Sequence, residues 1–252
     1  MAKKVAEQLV DTLIEAGVRR IYAVTGDSLN EVNEAVRQNE AMKWIHVRHE
    51  ETGAYAAGAE AQLTGLPGCC AGSSGPGHVH LINGLYDAHR SGAPVIAIAS
   101  TIPTGEFGTE YFQETNTVKL FNDCSFYNEV ATTPEQFPRM LQSALQTATT
   151  RKGVAVVGLP GDLAKKPAVK VESSEQIYPL ASSVCPAEED LIRLAGMLNH
   201  YERITLFCGI GCKGAHEEII RMSETLNAPV AYTFKGKMEV QYDNPYEVGM
   251  TG

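Results

Sequence analysis

Six short apolar runs, each paired with a stretch of helical periodicity, set the strongest limit on what this 252-residue chain can fold into. They are Arg20-Ile-Tyr-Ala-Val24, residues 43–47, 68–72 and 94–99, Cys124-Ser-Phe-Tyr-Asn-Glu-Val130 and Gly153-Val-Ala-Val-Val-Gly-Leu159. Val5, Leu9, Leu13 and Ile14 fall at helical spacing before the first run, with Gly17 as a stop. Further helices are predicted to about Asn39, capped by Asp27 or Ser28, and over 50–64, 77–91 and Pro134–Thr149. Apolar runs alternating with helices predict an α/β domain, a six-stranded parallel sheet with helices on both faces, complete by about residue 165.

Residues Thr101 to Thr117 break this rhythm with Pro103, Gly105, Gly108 and three acidic residues, and predict a surface loop of the length that carries function. Residues 166–185 read as a linker, polar and rich in breakers. A second α/β unit starts at Pro186: a helix to about Asn199, a strand Arg203–Cys208, a glycine turn, a helix to Leu226 and a strand near Pro229–Thr233. Residues 186–252 hold too few strands to close a sheet, so they are expected to open a Rossmann-like domain of a longer polypeptide.

A net charge of -9 and the lack of a basic stripe exclude nucleic acid and anionic membrane surfaces as natural partners. No apolar run approaches the roughly 18 residues of a membrane span, and the first ten residues lack a signal-peptide core, so a cytoplasmic protein is expected. The six cysteines form no CxxC pattern and read as buried free thiols. His46, His49, His78, His80, His89, His200 and His216 include no pair at zinc-ligand spacing with a supporting Cys or carboxylate, so no metal site is expected.

The stretch Trp44-Ile-His-Val-Arg-His-Glu-Glu51 ends a strand in a charged knot and enters a helix made almost wholly of small residues. Glu50 and Glu51 suit a first helical turn as dipole partners, and a carboxylate there also stands where open α/β sheets hold ligands. Gly72, Gly75 and Gly77 let a ligand or another chain approach the backbone, or serve a tight turn. Gly209-Ile-Gly-Cys-Lys-Gly214 fits GxGxxG between strand and helix, and equally fits a plain turn.

Taken together, Gly26-Asp-Ser-Leu-Asn30, Arg48-His-Glu-Glu51, Gly75-Pro-Gly77, Tyr111-Phe-Gln-Glu114, Leu159-Pro-Gly-Asp162, Gly209–Gly214 and Tyr242-Asp-Asn-Pro-Tyr246 resemble, in order and spacing, the thiamine-diphosphate-dependent pyruvate oxidase and acetohydroxyacid synthase superfamily. The resemblance runs the length of the chain and is strongest to the flavoprotein pyruvate oxidases, including pyruvate:quinone oxidoreductases. It implies a pyrimidine-binding domain at 1–165 and part of a central FAD domain at 186–252. The superfamily's Gly-Asp-Gly…Asn motif for diphosphate and Mg²⁺ is missing, which places the Mg²⁺ site outside this chain.

By position, Glu50 resembles the glutamate that bonds the cofactor's aminopyrimidine and promotes its imino form. Gln113 and Phe112 resemble the glutamine and aromatic residue beside the substrate. Gly26, Gly75, Pro76, Gly77 and Asn83 are implied to border thiamine diphosphate. Gly209, Gly211, Lys213, Lys235, Gly236, Thr251 and Gly252 are implied to contact FAD. The implied activity of the parent enzyme is oxidative decarboxylation of pyruvate to acetate or acetyl phosphate, with electrons passing to quinone or oxygen. The implied assembly is a homo-oligomer, with quinone or inner-membrane contact only through a C-terminal region this chain lacks. On this resemblance the chain alone has little turnover. The alternatives are an acetohydroxyacid synthase-type carboligase or, should the gene end here, a non-catalytic dimerisation module. The small residues of helix 50–64 suit a close subunit contact or packing within one chain.

Overall fold

The computed structural model describes residues 2–169 and 184–251, which fall into two compact units, Met1–Ser182 and Ser183–Gly252. The first contains α1 (Val5–Glu15), β1 (Arg20–Ala23), α2 (Asn30–Arg37), β2 (Lys43–His46), α3 (Glu50–Thr64), β3 (Gly68–Gly72) and α4 (Pro76–Val79). It continues through α5 (Ile82–Arg90), β4 (Val95–Thr101), α6 (Thr117–Leu120), β5 (Tyr127–Val130), α7 (Phe137–Arg151), β6 (Val154–Pro160) and α8 (Gly161–Ala164). The six strands are all parallel, in the order β2-β1-β3-β4-β6-β5, so the expected sheet forms with helices on both faces.

The central strands are buried on both sides, and their side chains divide by parity. Cys69, Ala71, Ile96, Ile98, Ala155, Val157 and Leu159 join the core beneath α1, α2 and α7, where Leu9, Leu13, Phe137 and Leu141 are large. Cys70, Val95, Ala97, Ala99, Val154 and Val156 face Ala54, Ala57 and Ala61 of α3 and Leu85 and Ala88 of α5. On that second face the helices come very close. A Cβ on Gly68 would collide with the Ala57 carbonyl, one on Gly84 would stand 2.6 Å from Ala54 Cβ, and one on Gly53 3.1 Å from the Tyr22 carbonyl. The small residues of α3 are thus used in packing within the chain.

Two local expectations fail for physical reasons. Asp27 and Ser28 do not cap α2, because residues Asp27–Leu29 form a 3-10 turn and neither side chain bonds the helix start. The Ser28 hydroxyl accepts instead from the Ser74 amide at 3.0 Å, which ties the end of β1 to the end of β3. The single helix expected over 77–91 divides at His80–Leu81, where the Leu81 amide bonds the His78 carbonyl three residues back. Of the residues read as linker, 166–169 pair with the chain start: Val5 N donates to Lys166 O at 3.0 Å and Ala168 N to Lys3 O at 2.8 Å. Residues 170–183 lie outside the described residues.

The second unit contains α9 (Glu188–His200), β7 (Leu206–Cys208), α10 (His216–Leu226), β8 (Val230–Tyr232), α11 (Lys237–Val240) and β9 (Glu247–Met250). Its three strands are parallel in chain order over a small core of Cys208, Ile219, Val230, Tyr232 and Val240. The strand β9 was not expected. It alternates half-buried and exposed residues and carries Gly249 at φ +112°, so no apolar run marks it. All six cysteines are free, and burial pushes the Cys70 thiol up to about 12 and the Cys124 thiol up to about 11. Among the described residues no helix is long and apolar enough to cross a membrane.

The contact between α3 and β3 leaves no slack. Gly68→Ala is expected to lower the stability of the first unit by about 1–3 kcal/mol through overpacking. Gly105→Ala, at an open position, should change it by no more than about 0.5 kcal/mol. Urea unfolding followed by the fluorescence of Trp44, the sole tryptophan, reads this unit directly.

Candidate active site

The crossover from β2 to β3 must pass over β1, since β1 separates the two strands. It therefore brings the first turn of α3 to the carboxyl ends of β1 and β3, where open parallel sheets hold ligands. Glu50 is the first residue of α3 and is only 8% exposed. Its Oε2 shares a hydrogen bond with His80 Nδ1 at 3.0 Å. Its Oε1 faces Gly77, where a Cβ would come to 3.4 Å. The His80 ring stacks on His49, with centroids 4.5 Å apart. Glu51 instead turns outward to accept from Asn83 Nδ2 at 2.6 Å.

The turn after β3 depends on glycine. Gly75 has φ +66° and ψ -120°, a conformation that side chains disfavour, and a Cβ there would stand 2.8 Å from Gln113 Cβ. A Cβ on Gly77 would strike the Ser73 hydroxyl, and one on Gly26 would lie 2.5 Å from Ser73 Cβ. Gly26, Gly75 and Gly77 are therefore packed around Ser73, with Glu50 beside them. Gln113, itself at φ +67°, lies over Gly75, and its Oε1 accepts from the Ser74 hydroxyl at 3.4 Å. Phe112 is 80% exposed, and Pro76 is exposed at the helix start. Asn83 is exposed and engaged with Glu51, apart from the glycine turn.

Buried polar contacts hold these pieces in register. His78 is fully buried, and its Nδ1 donates to the Ser100 carbonyl at 2.8 Å. That assigns the acceptor role to Nε2, which takes the Thr115 hydroxyl at 2.5 Å. Burial lowers the His78 pKa below 6.5, and the bond to Ser100 only partly opposes it. The single Ser100 hydroxyl proton is shared between the carbonyls of Ser28 at 2.8 Å and Leu159 at 3.0 Å. Asp162 accepts from the Thr104 amide at 2.9 Å and hydroxyl at 2.8 Å. Burial opposes its charge, but the Thr104 bonds and nearby Lys166 outweigh it and set its carboxyl below the usual aspartate value. The loop 101–117 is thus pinned at Thr104 and at Thr115.

His49, His80, Ser73, His78 and Thr115 are the site residues that sequence reasoning missed. Glu50 and His80 are 30 positions apart, and no linear spacing relates them. The only available signal was the pair His78 and His80 directly after Gly75-Pro-Gly77, within the turn already singled out.

In the second unit, the residues assigned to flavin gather at the carboxyl ends of parallel strands. Gly209 follows β7, and a Cβ on Gly211 would meet open space. Thr233 N donates to Cys208 O at 3.0 Å, and a Cβ on Gly236 would lie 2.5 Å from that carbonyl, so the turns after β7 and β8 adjoin. Lys213 and Lys235 are exposed on these two turns. Thr251, after β9, donates its amide to Tyr232 O at 3.0 Å, and Gly252 lies outside the described residues.

Residues 3–120 match the family of the thiamine pyrophosphate enzyme N-terminal TPP binding domain, and residues 191–252 match that of the thiamine pyrophosphate enzyme central domain. An uncharacterized 42.6 kDa protein in the isoamylase 3′ region of Pseudomonas amyloderamosa is 50% identical over 99% of this chain and 63% of its own length. The putative thiamine pyrophosphate-containing protein YdaP of Bacillus subtilis is 38% identical over 100% of the chain and 44% of its own length. The pyruvate oxidase of Lactiplantibacillus plantarum is 36% identical over 88% of the chain and 37% of its own length. The chain therefore spans between about a third and two thirds of these relatives.

A neutral His78 makes the site's frame sensitive to acid. Its folded pKa lies below 6.5, so the unfolded chain takes up the proton first as the pH falls. Stability is retained above about pH 6.5 and falls below it, by at most about 1.4 kcal/mol per pH unit from this group. His89, also lowered by burial, adds a slope of the same sign. Urea unfolding between pH 7.5 and pH 5, on the order of the usual histidine range, should show a shallower slope in His78→Gln than in the parent chain.

Proposed function

The chain belongs to the thiamine pyrophosphate enzyme superfamily, and from that membership we propose that it forms the cofactor-activating half of a flavin-dependent pyruvate oxidase or pyruvate:quinone dehydrogenase. The observation that carries this reading is the buried Glu50 carboxyl, set beside a turn whose glycines leave no room for side chains. A nearly buried carboxyl bonded to an imidazole suits proton exchange with a heterocycle.

When bound, thiamine diphosphate supplies the carbanion stabilisation that decarboxylates a 2-oxo acid, and FAD supplies a two-electron acceptor. The chain's own groups have separate tasks. Glu50 holds a proton for the aminopyrimidine, and His80 Nδ1 steadies the opposite carboxylate oxygen. Gly26, Gly75, Pro76 and Gly77 form the wall of the pyrimidine pocket. Gln113 offers an amide to the substrate carboxylate, and the exposed Phe112 is free to cover the substrate methyl. Asn83 acts through Glu51 at the pocket's outer edge. In the second unit, the exposed Lys213 and Lys235, on turns open at Gly209 and Gly211 and adjoining Gly236 and Thr251, suit the phosphates of FAD. Magnesium and the diphosphate groove belong to the parent protein outside this chain, in a homo-oligomer whose active sites form between subunits.

In the protein as expressed from its whole gene, Glu50→Gln should lower thiamine-dependent pyruvate turnover by about 10²–10⁴-fold with the fold intact. Near-normal turnover would remove Glu50 from the mechanism. Acetate or acetyl phosphate with reduced acceptor is the expected product; acetolactate without one would move the assignment to a carboligase.

A further inference from the structure

We propose that His49, Glu50 and His80 form a site for a borderline divalent metal of the zinc class, and that its occupation withholds Glu50 from the organic cofactor. The second half rests on the role given to Glu50 in the preceding subsection. Each of the three side chains offers one ligand atom, and these atoms all lie within 4.8 Å of one another. Glu50 Oε2 and His80 Nδ1 are already 3.0 Å apart. Ligands at zinc's usual bond lengths of about 2.0–2.2 Å stand roughly 3.3 Å apart in a tetrahedral shell. The pair therefore needs almost no adjustment.

His49 completes the set. Its side chain is 48% exposed and stacked on His80, so it is already beside its partner and has solvent-side room to turn. Two imidazoles and one carboxylate are the donor set of open zinc sites, with a fourth position left to water. Imidazole nitrogen also selects against Mg²⁺, a hard cation that prefers oxygen. The magnesium of a thiamine enzyme does not compete here, whereas zinc and the cofactor's pyrimidine draw on the same carboxylate. A metal on Oε2 keeps the carboxylate ionised, so Oε1 has no proton to offer the pyrimidine, and metal and cofactor compete for Glu50.

Chelator-stripped chain titrated with Zn²⁺ in a calorimeter should bind one equivalent that His49→Ala, His80→Ala and Glu50→Gln each weaken at least tenfold and His46→Ala leaves unchanged. Co²⁺ in place of Zn²⁺ should give visible bands free of thiolate charge transfer, which separates this site from the cysteines. Unchanged affinity in the three variants, or a thiolate spectrum, would overturn the site whatever the outcome for turnover in Glu50→Gln. In the protein expressed from its whole gene, thiamine diphosphate with Mg²⁺ should weaken the Zn²⁺ equivalent at least tenfold. A zinc site indifferent to the cofactor would overturn the competition while leaving the metal site in place.

Discussion

The site depends on how closely α3 lies against the sheet. The Ala57 carbonyl occupies the space a side chain at Gly68 would need, and Gly84 lets α5 meet α3 through Ala54 with equal intimacy. A helix with larger residues at these points would ride higher, and its first turn would lift away from the strand ends. Small residues give up apolar area, since each methylene buried contributes about 0.8 kcal/mol. The opposite face of the sheet, filled by Leu9, Leu13, Phe137 and Leu141, supplies the large side chains that α3 lacks. One face of the domain thus favours stability and the other favours placement.

A set of short polar side chains turns this placement into a rigid frame. Ser28, Ser74, Ser100 and His78 connect the carboxyl ends of β1, β3, β4 and β6, and each bond joins elements distant in the chain. Such buried networks are costly when half satisfied and strongly orienting when complete. His78 is satisfied at both ring nitrogens, which fixes its tautomer and the path of the chain between β3 and α5.

The sheet was legible in the sequence because β3, β4 and β6 are runs buried on both sides, even though the edge strands β2 and β5 carry Lys43, His46, Asn128 and Glu129. The edge strand β9 was not, since it is half exposed and broken by Gly249. The division between α4 and α5 escaped because His80 and Leu81 are ordinary helix residues, and only the contacts of His78 and His80 on opposite sides require it. Glu50 could be singled out from its position at a strand-to-helix turn. Its neighbours His49 and His80 could not be assembled into a cluster, because the contact is set by the crossover above β1. Asn83 illustrates the converse: the resemblance implied that it borders the cofactor, and in the fold it engages Glu51.

Loop 101–117 leaves the sheet at one post, where Asp162 grips Thr104, and returns at another, where His78 grips Thr115. Neither post draws on the residues between them. Between the posts Gln113 adds a third contact, lying over Gly75 and accepting from the Ser74 hydroxyl, whereas the exposed Phe112 can change without disturbing the scaffold beneath, so a single loop combines one position tied to the fold with a neighbour free to vary.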